Sequence, residues 1–314
     1  MLGALRNLTY RHGLTSLAPT LRMRELLKSA YFHLLAPRER VRVKLAGASG
    51  SFFVRSPSEL RMLERAVRVK DSGAWEVDLL ELFAATVLPG DIVYDIGANV
   101  GLYSIFLSKR AGPRGRVIAF EPDSRNYARL QENVRLNGLA NVACFQKALG
   151  EQSQKSALYA HKDNPGASTL RASRDPAYTC AEVVEVENGD AFRATLRLPI
   201  PRVVKIDVEG SEYSVLLGLG QTLREPWCEF LGCEVHPQAL PPGVTSRHLS
   251  ELIRSLGFAR IEPYRRGRQL HLVCRKQPPV YQLTCVHSLR PVPTLRRGIC
   301  RGVMFLWLPW GLRK

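Results

Sequence analysis

Val93-Tyr94-Asp95-Ile96-Gly97-Ala98-Asn99-Val100-Gly101 is the stretch on which the fold of this 314-residue chain turns. Apolar residues over 92–96 spell a short buried strand that closes on an acid and then on Gly97 and Gly101, four apart. Helical rhythm resumes over 102–110. Strand, glycine-bearing turn and helix start, in that order, offer free backbone N–H groups to a ligand that approaches closely. A dinucleotide-binding turn would read Gly-x-Gly-x-x-Gly, and that spacing is absent here. The bland alternative is a tight strand-to-helix turn that binds nothing.

Downstream the rhythm repeats. Strands are expected over 116–120, 141–146, 202–206, 230–235 and 269–275, with helices over 125–137, 211–218 and 246–256. Strands alternating with helices at this spacing imply parallel βαβ units in a doubly wound sheet. Residues 151–187 show no regular pattern and contain the turn-prone Asn164-Pro165-Gly166. Upstream, 59–88 reads as helix, 41–45 and 51–55 as short strands around a turn, and 1–36 as a broken amphipathic helix. The domains expected are a basic extension over 1–58, one α/β domain over 59–276, and a basic, proline-containing tail over 277–314.

Charge sharpens that division. Residues 1–58 carry ten Lys/Arg against two acids, and 263–314 carry eleven against none, while 59–262 is nearly neutral with 24 bases and 26 acids. Basic flanks on a neutral body suit a meeting with an anionic surface and argue against nucleic acid gripped across the whole molecule. The seven cysteines include no Cys-x-x-Cys pair, which argues against a zinc site or a disulfide framework and suits a reducing, cytoplasmic setting. No segment reaches the roughly 18–20 apolar residues of a membrane span. The acid-free start up to Glu25 also fits a mitochondrial presequence. Near the other end, an apolar run over 302–311 holds Trp307 and Trp310 between Arg296, Arg297 and Arg301 on one side and Arg313 and Lys314 on the other. Interfacial tryptophans and flanking bases lead us to expect peripheral membrane attachment; the alternative is docking on the protein's own core or in a dimer interface.

The chemistry gathers at expected strand ends. Asp95, where its strand gives way to the turn, can face the cationic amino group of a bound amino-acid moiety, which suits the methionine half of S-adenosylmethionine. Glu121 follows the next strand, twenty residues beyond Gly101, where a carboxylate can accept both hydroxyls of a ribose. Lys205-Ile206-Asp207-Val208-Glu209 alternates so that Lys205, Asp207 and Glu209 share one face, and His236 ends the following strand. Asp207 or His236 is expected to act as general base, Lys205 to orient the acceptor oxygen and Glu209 to position a second hydroxyl. A buried Lys205–Asp207 pair that only fixes the loop is the bland alternative. No metal is assigned, although Asp207, Glu209 and Glu234 are donors that a hard cation favours.

These residues form a recognisable set. Asp95 to Ser104, Ala119-Phe120-Glu121-Pro122, Glu132-Asn133, Leu136-Asn137-Gly138, Lys147-Ala148-Leu149-Gly150, Lys205 to Glu212, and Glu234-Val235-His236 together resemble the FkbM family of S-adenosylmethionine-dependent methyltransferases. The resemblance runs from about residue 54 to 275. It implies a Rossmann-like class I methyltransferase fold: a doubly wound, mostly parallel seven-stranded sheet with an antiparallel last strand. It implies S-adenosyl-L-methionine held by Asp95, Gly97, Asn99, Gly101, Glu121, Lys147 and Ala148, and O-methylation of a small-molecule, glycan or lipid-linked hydroxyl. One departure stands out: the family often carries Thr-Leu-Asp before the fourth strand, and here Glu187-Asn188-Gly189-Asp190 stands instead.

Three rival readings fit less well, among them a non-catalytic binding module that kept the cofactor fold, against which the joint presence of Lys205, Asp207, Glu209 and His236 argues. An NAD-dependent oxidoreductase is disfavoured by the glycine spacing. An RNA-directed methyltransferase would use the basic flanks, but few aromatics interleave with them to stack on bases. An Asn/Asp-Pro-Pro-aromatic block, as in enzymes that methylate exocyclic base nitrogens, is missing after the fourth strand.

Overall fold

The computed structural model describes residues 39–276, except 46, 56–58, 61–62, 64–74, 163–165, 173–175 and 267–268. The readings of 1–36 and of 277–314, including the targeting and membrane-attachment expectations, lie outside the described residues. Among the described residues no helix is long and apolar enough to cross a membrane.

The chain opens with an antiparallel hairpin, β1 (Glu39–Leu45) and β2 (Ala48–Val54), followed by α1 (Trp75–Thr86). Then comes the alternating body: β3 (Ile92–Ile96), α2 (Leu102–Ala111), β4 (Arg116–Phe120), α3 (Ser124–Leu136) and β5 (Val142–Phe145). After an insertion described below, it continues with α4 (Gly189–Thr195), β9 (Val203–Ile206), α5 (Glu212–Gly218), α6 (Gly220–Arg224) and β10 (Phe230–Val235). It closes with α7 (Ser246–Ser255), β11 (Arg260–Arg266) and β12 (Gln269–Arg275). The sheet order is β11-β12-β10-β9-β3-β4-β5. The β3–β4, β4–β5, β3–β9 and β9–β10 pairs are parallel, and β12 runs antiparallel to both its neighbours.

Every residue of β9, and all but the first of β3 and β4, is buried, as expected where helices cover both faces of a sheet. Side chains alternate between two cores. Val93, Val117 and Val203 pack with α1, α2 and the hairpin's Phe52 and Val54. Their chain neighbours Tyr94, Ile118 and Val204 pack on the other face with Val215, Leu223 and Leu249. The helix α3 starts where Asp123 accepts hydrogen bonds from the Arg125 and Asn126 amides, and the chain leaves it through Gly138 at φ 64°.

The hairpin, expected within the N-terminal extension, is bound to the α/β body by residues of α3 and its end. Asn133 Oδ1 accepts from the Phe53 amide, and Asn137 bonds both the amide and the carbonyl of Ser51. Glu132 takes the Arg55 guanidinium on both carboxylate oxygens at 2.7 and 2.8 Å.

Segment 151–187 departs from its reading. It holds β7 (Gln154–His161) and most of β8 (Tyr178–Asn188), which join β6 (Ala148–Gly150) in a second sheet of order β6-β8-β7. The alternation of buried Val184 and Val186 with Glu185 and Glu187 marks β8, but it is short and its partner lies across a loop. The strand β11, absent from the sequence reading, contains Pro263; it lies at the sheet edge, where a missing amide is tolerated. Asp190 accepts from the Gln221 and Thr222 amides and from the Thr222 hydroxyl, so it caps α6.

Candidate active site

From β3 the chain winds outward through β4 and β5, then returns to place β9 on the other side of β3. The carboxyl ends of β3 and β9 are therefore a topological switch point, where open α/β sheets bind ligands. A cleft opens there. Gly97, Asn99, Glu121, Lys147 and Ala148 line it, together with Asp207, Val208 and Glu209. The insertion adds Leu158, Gly166, Ser168 and Leu170.

Gly97 has φ 78°, and a Cβ there would lie 1.8 Å from the Asp207 carbonyl, so only glycine lets the turns after β3 and β9 touch. The buried Glu121 carboxylate accepts from the Asn99 amide at 2.7 Å and the Asp123 amide at 2.9 Å. Burial raises its pKa to about 7 against the pull of those two amides.

Two expected cofactor contacts lie behind the cleft. Asp95 is wholly buried: one oxygen accepts from the Ser104 hydroxyl at 2.6 Å, and the other is 3.4 Å from Lys205 Nζ. It holds the floor of the turn instead of presenting a charge to a ligand. Gly101 packs on Leu130, which would meet a Cβ at 2.7 Å. Lys147 is on the lining, but its ammonium is turned to Glu185 and Glu187 on β8.

Of the four catalytic candidates, Asp207 and Glu209 line the cleft; Lys205 and His236 stand behind it. Lys205 donates to the Gly97 carbonyl at 2.8 Å, lies 3.4 Å from both Asp95 and Asp207, and sits over the Tyr103 ring. Burial alone would lower its pKa; Asp207, Asp95 and Glu234 outweigh that and raise it, so it remains a cation. Lys205 thus ties the β3 turn to the β9 turn. The expectation that it orients the acceptor oxygen gives way to this clamp.

His236 is surrounded by acids. Nδ1 is 2.7 Å from Glu212 Oε1; Nε2 is 3.2 Å from Glu209 and 3.5 Å from Glu234. Burial would lower its pKa, but hydrogen bonds to Glu212 and Glu234 and the charges of Glu209 and Asp207 raise it to about 11. An imidazolium has no lone pair for a proton, which removes His236 as general base in this arrangement. For Glu209, burial raises the carboxyl pKa, His236 opposes, and the neighbouring acids reinforce the rise. Glu209 has φ 50°, a conformation unusual for a residue with a Cβ, and the Thr169 hydroxyl holds its carbonyl at 2.7 Å.

Glu212, Ser104 and Thr169 were given no role from the sequence. Glu212 stands in the Lys205 to Glu212 block, but only the packing of α5 on β10 shows that it meets His236. Thr169 comes from the insertion, and no sequence signal marks it.

A doubly wound sheet in this order, with an antiparallel last strand and a switch-point cleft ending in acids, defines a Rossmann-like class I methyltransferase. The chain belongs to the FkbM methyltransferase family, whose domain model matches residues 95–259. Hexuronic acid methyltransferase AglP of Haloferax volcanii is 29% identical over 213 residues, covering 67% of this chain and 80% of that one. Methyltransferase 1 of Beauveria bassiana is 27% identical over 162 residues, covering 46% of this chain; the match spans 65% of that relative, just under two thirds. Among solved structures, the FkbM methyltransferase of Methylobacillus flagellatus KT aligns with a TM-score of 0.41 at 17% identity, over 69% of this chain and 58% of that one. The family model carries the assignment.

Proposed function

We propose that this methyltransferase transfers a methyl group from S-adenosyl-L-methionine to a hydroxyl of a sugar, glycolipid or hydroxylated natural product. The observation that carries this reading is that one cleft is lined both by Glu121, which we assign to a ribose, and by Asp207 and Glu209, which we assign to an acceptor. The kinship with a hexuronic acid methyltransferase supports a sugar-like acceptor. The residues present fit the cofactor: Glu121 offers carboxylate oxygens inside the cleft, and the turn after β3 brings backbone rather than side chains to its wall.

When bound, S-adenosylmethionine supplies an electrophilic methyl on its sulfonium. The chain aligns the acceptor hydroxyl with that methyl and removes the hydroxyl proton. Asp207 is the group for the proton: it lines the cleft, and its side chain is 30% exposed, so an acceptor can reach it. Lys205 and the Glu212–His236–Glu209 chain hold Asp207 and Glu209 in place from behind.

The test is product chemistry. Extracts of cells with and without the gene are profiled for species differing by one methylene, and the candidate acceptor is methylated in vitro with isotopically labelled cofactor. A methyl ether in the product, shown by NMR, is expected. An N- or C-methyl product would overturn the hydroxyl assignment, and no calorimetric binding of S-adenosylmethionine would overturn the cofactor assignment.

A further inference from the structure

The carboxyl ends of β9 and β10 carry more negative charge than their two cations balance. Asp207, Glu209, Glu212 and Glu234 surround His236, and the nearest lysine, Lys205, is shared with Asp95. Acids this close together repel one another, so such an excess favours a cation.

The donors are arranged for one. One donor atom each from Asp207, Glu209 and His236 lie within 4.8 Å of one another. The parallel register of Cys233 with Ile206 brings the two strand ends side by side, so the loop after β9 meets the residue that follows β10. Glu212, with no exposed surface, takes His236 Nδ1 at 2.7 Å while accepting from the Gly210 amide, which leaves Nε2 as the nitrogen turned to Glu209. A carboxylate behind a histidine is the usual support of a metal-bound imidazole.

A second observation is independent of that geometry. His271 on β12 is only 5% exposed, and neither of its ring nitrogens makes a hydrogen bond. Its Nδ1 points at Glu234 Oε2 from 3.6 Å, and the other oxygen of Glu234 is 3.5 Å from His236 Nε2. A buried imidazole with no hydrogen bond thus lies against Glu234 at the back of the cluster. Two carboxylates and one imidazole suit a hard to borderline divalent cation, and the imidazole favours Mn²⁺ over Mg²⁺.

We propose that Asp207, Glu209 and His236 bind one divalent cation, with Mn²⁺ the best fit, on the wall of the cleft where the acceptor hydroxyl enters, the ion displacing the proton that His236 carries when no ion is bound. The ion's role rests on the O-methylation reading; its site does not. Beside a divalent charge a hydroxyl gives up its proton more readily. Each residue contributes one donor atom to the ion, so the other oxygen of Asp207 is left to receive that proton. The acceptor oxygen's lone pair then forms the new C–O bond. The S–C bond breaks with its electron pair returning to sulfur, which passes from sulfonium to thioether.

The experiment is a Mn²⁺ titration of the chelator-stripped full chain, following free Mn²⁺ by electron paramagnetic resonance. One saturable site per chain is expected, with affinity lowered about 10–100-fold by Glu212→Gln, which loosens the supporting carboxylate, and at least as much by Asp207→Asn and by His236→Gln. Glu121→Gln, on the cofactor side, should leave it unchanged. If His236→Gln does not fold, Asp207→Asn and Glu209→Gln carry the test, since both side chains reach the cleft. No saturable Mn²⁺ site in the wild type, or a site indifferent to Asp207→Asn and Glu209→Gln, would overturn the proposal. Calorimetry with S-adenosylmethionine on the same preparation separates the two claims: Mn²⁺ bound without cofactor binding sinks the methyl-donor reading alone, and cofactor bound without Mn²⁺ sinks the ion alone.

Discussion

On the β3–β4 side, the cleft wall is made by backbone: the Gly97 turn, the amides of Asn99 and Asp123, and one carboxylate, Glu121, that those amides hold. On the β9–β10 side it is made by charge: Asp207 and Glu209 in front, with His236, Glu212 and Glu234 packed behind. A backbone cradle follows from a few residues adjacent in sequence. A charge cluster depends on strand register and helix packing, and each member alters the protonation of the others. Lys205 joins the two, bonded to the Gly97 carbonyl and facing Asp207.

If the halves are as separable as this implies, variants on one side should spare the other. The largest effect is expected for Asp207→Asn. Losing the proton acceptor should lower turnover by about 10²–10⁴-fold, while cofactor affinity measured by calorimetry stays near wild type. A matching loss of cofactor affinity would show that the halves are one unit.

Lys205→Met tests the tie. It removes a cation only 6% exposed and leaves Asp95, with no exposed surface, without its charge partner. Breaking a buried pair costs about 3–5 kcal/mol. Denaturant unfolding should register that loss, and both cofactor binding and turnover should fall. Unchanged stability would mean that the halves are held together elsewhere.

Glu121→Gln should weaken cofactor binding by about tenfold or more, since hydrogen bonds to a charged group contribute roughly 1.5–3 kcal/mol each. Its pH dependence has a definite sign. The folded value of about 7 lies above the ordinary 4.5, so the stability Glu121 contributes is present below pH 4.5 and is lost as pH rises through 7. Cofactor affinity should move the other way, rising from pH 6 to 8 (roughly the range that brackets the folded value) as the carboxylate ionises and can accept both ribose hydroxyls. Glu121→Gln should flatten that rise, and calorimetry across the range checks it.

The smallest effect concerns neither wall. Asn137→Ala removes the bonds to Ser51 on β2 and should cost about 1 kcal/mol of stability in denaturant unfolding, by leaving partly buried backbone groups without those partners. Turnover of the folded protein should not change.

The alternating body was legible because its strands are short, wholly apolar runs and its turns are marked by glycine, signals that need only neighbouring residues. β11 was not, since Pro263 and its run of arginines disguise a strand that an edge position permits. The insertion was missed because β7 and β8 find their partners across a loop. At the site, sequence placed Glu121, Gly97, Asp207 and Glu209 on the right edge of the sheet, because strand ends follow from strand lengths. It put Asp95 and Lys205 at the ligand, where the structure buries both behind the cleft lining.

The sequence alone determined the class of fold, the edge that carries the cleft and the residue types available there. Those properties arise from apolar periodicity and turn chemistry, which act over a few residues. Tertiary structure decided which acids face the cleft and which stand behind it, that His236 is held as a cation by Glu212, Glu234 and Glu209, and that Lys205 is a clamp. The physical reason is that charge and burial are set by groups distant along the chain: Lys205 is 108 residues from the Gly97 carbonyl it binds, and His236 is 24 from the Glu212 carboxylate that orients it.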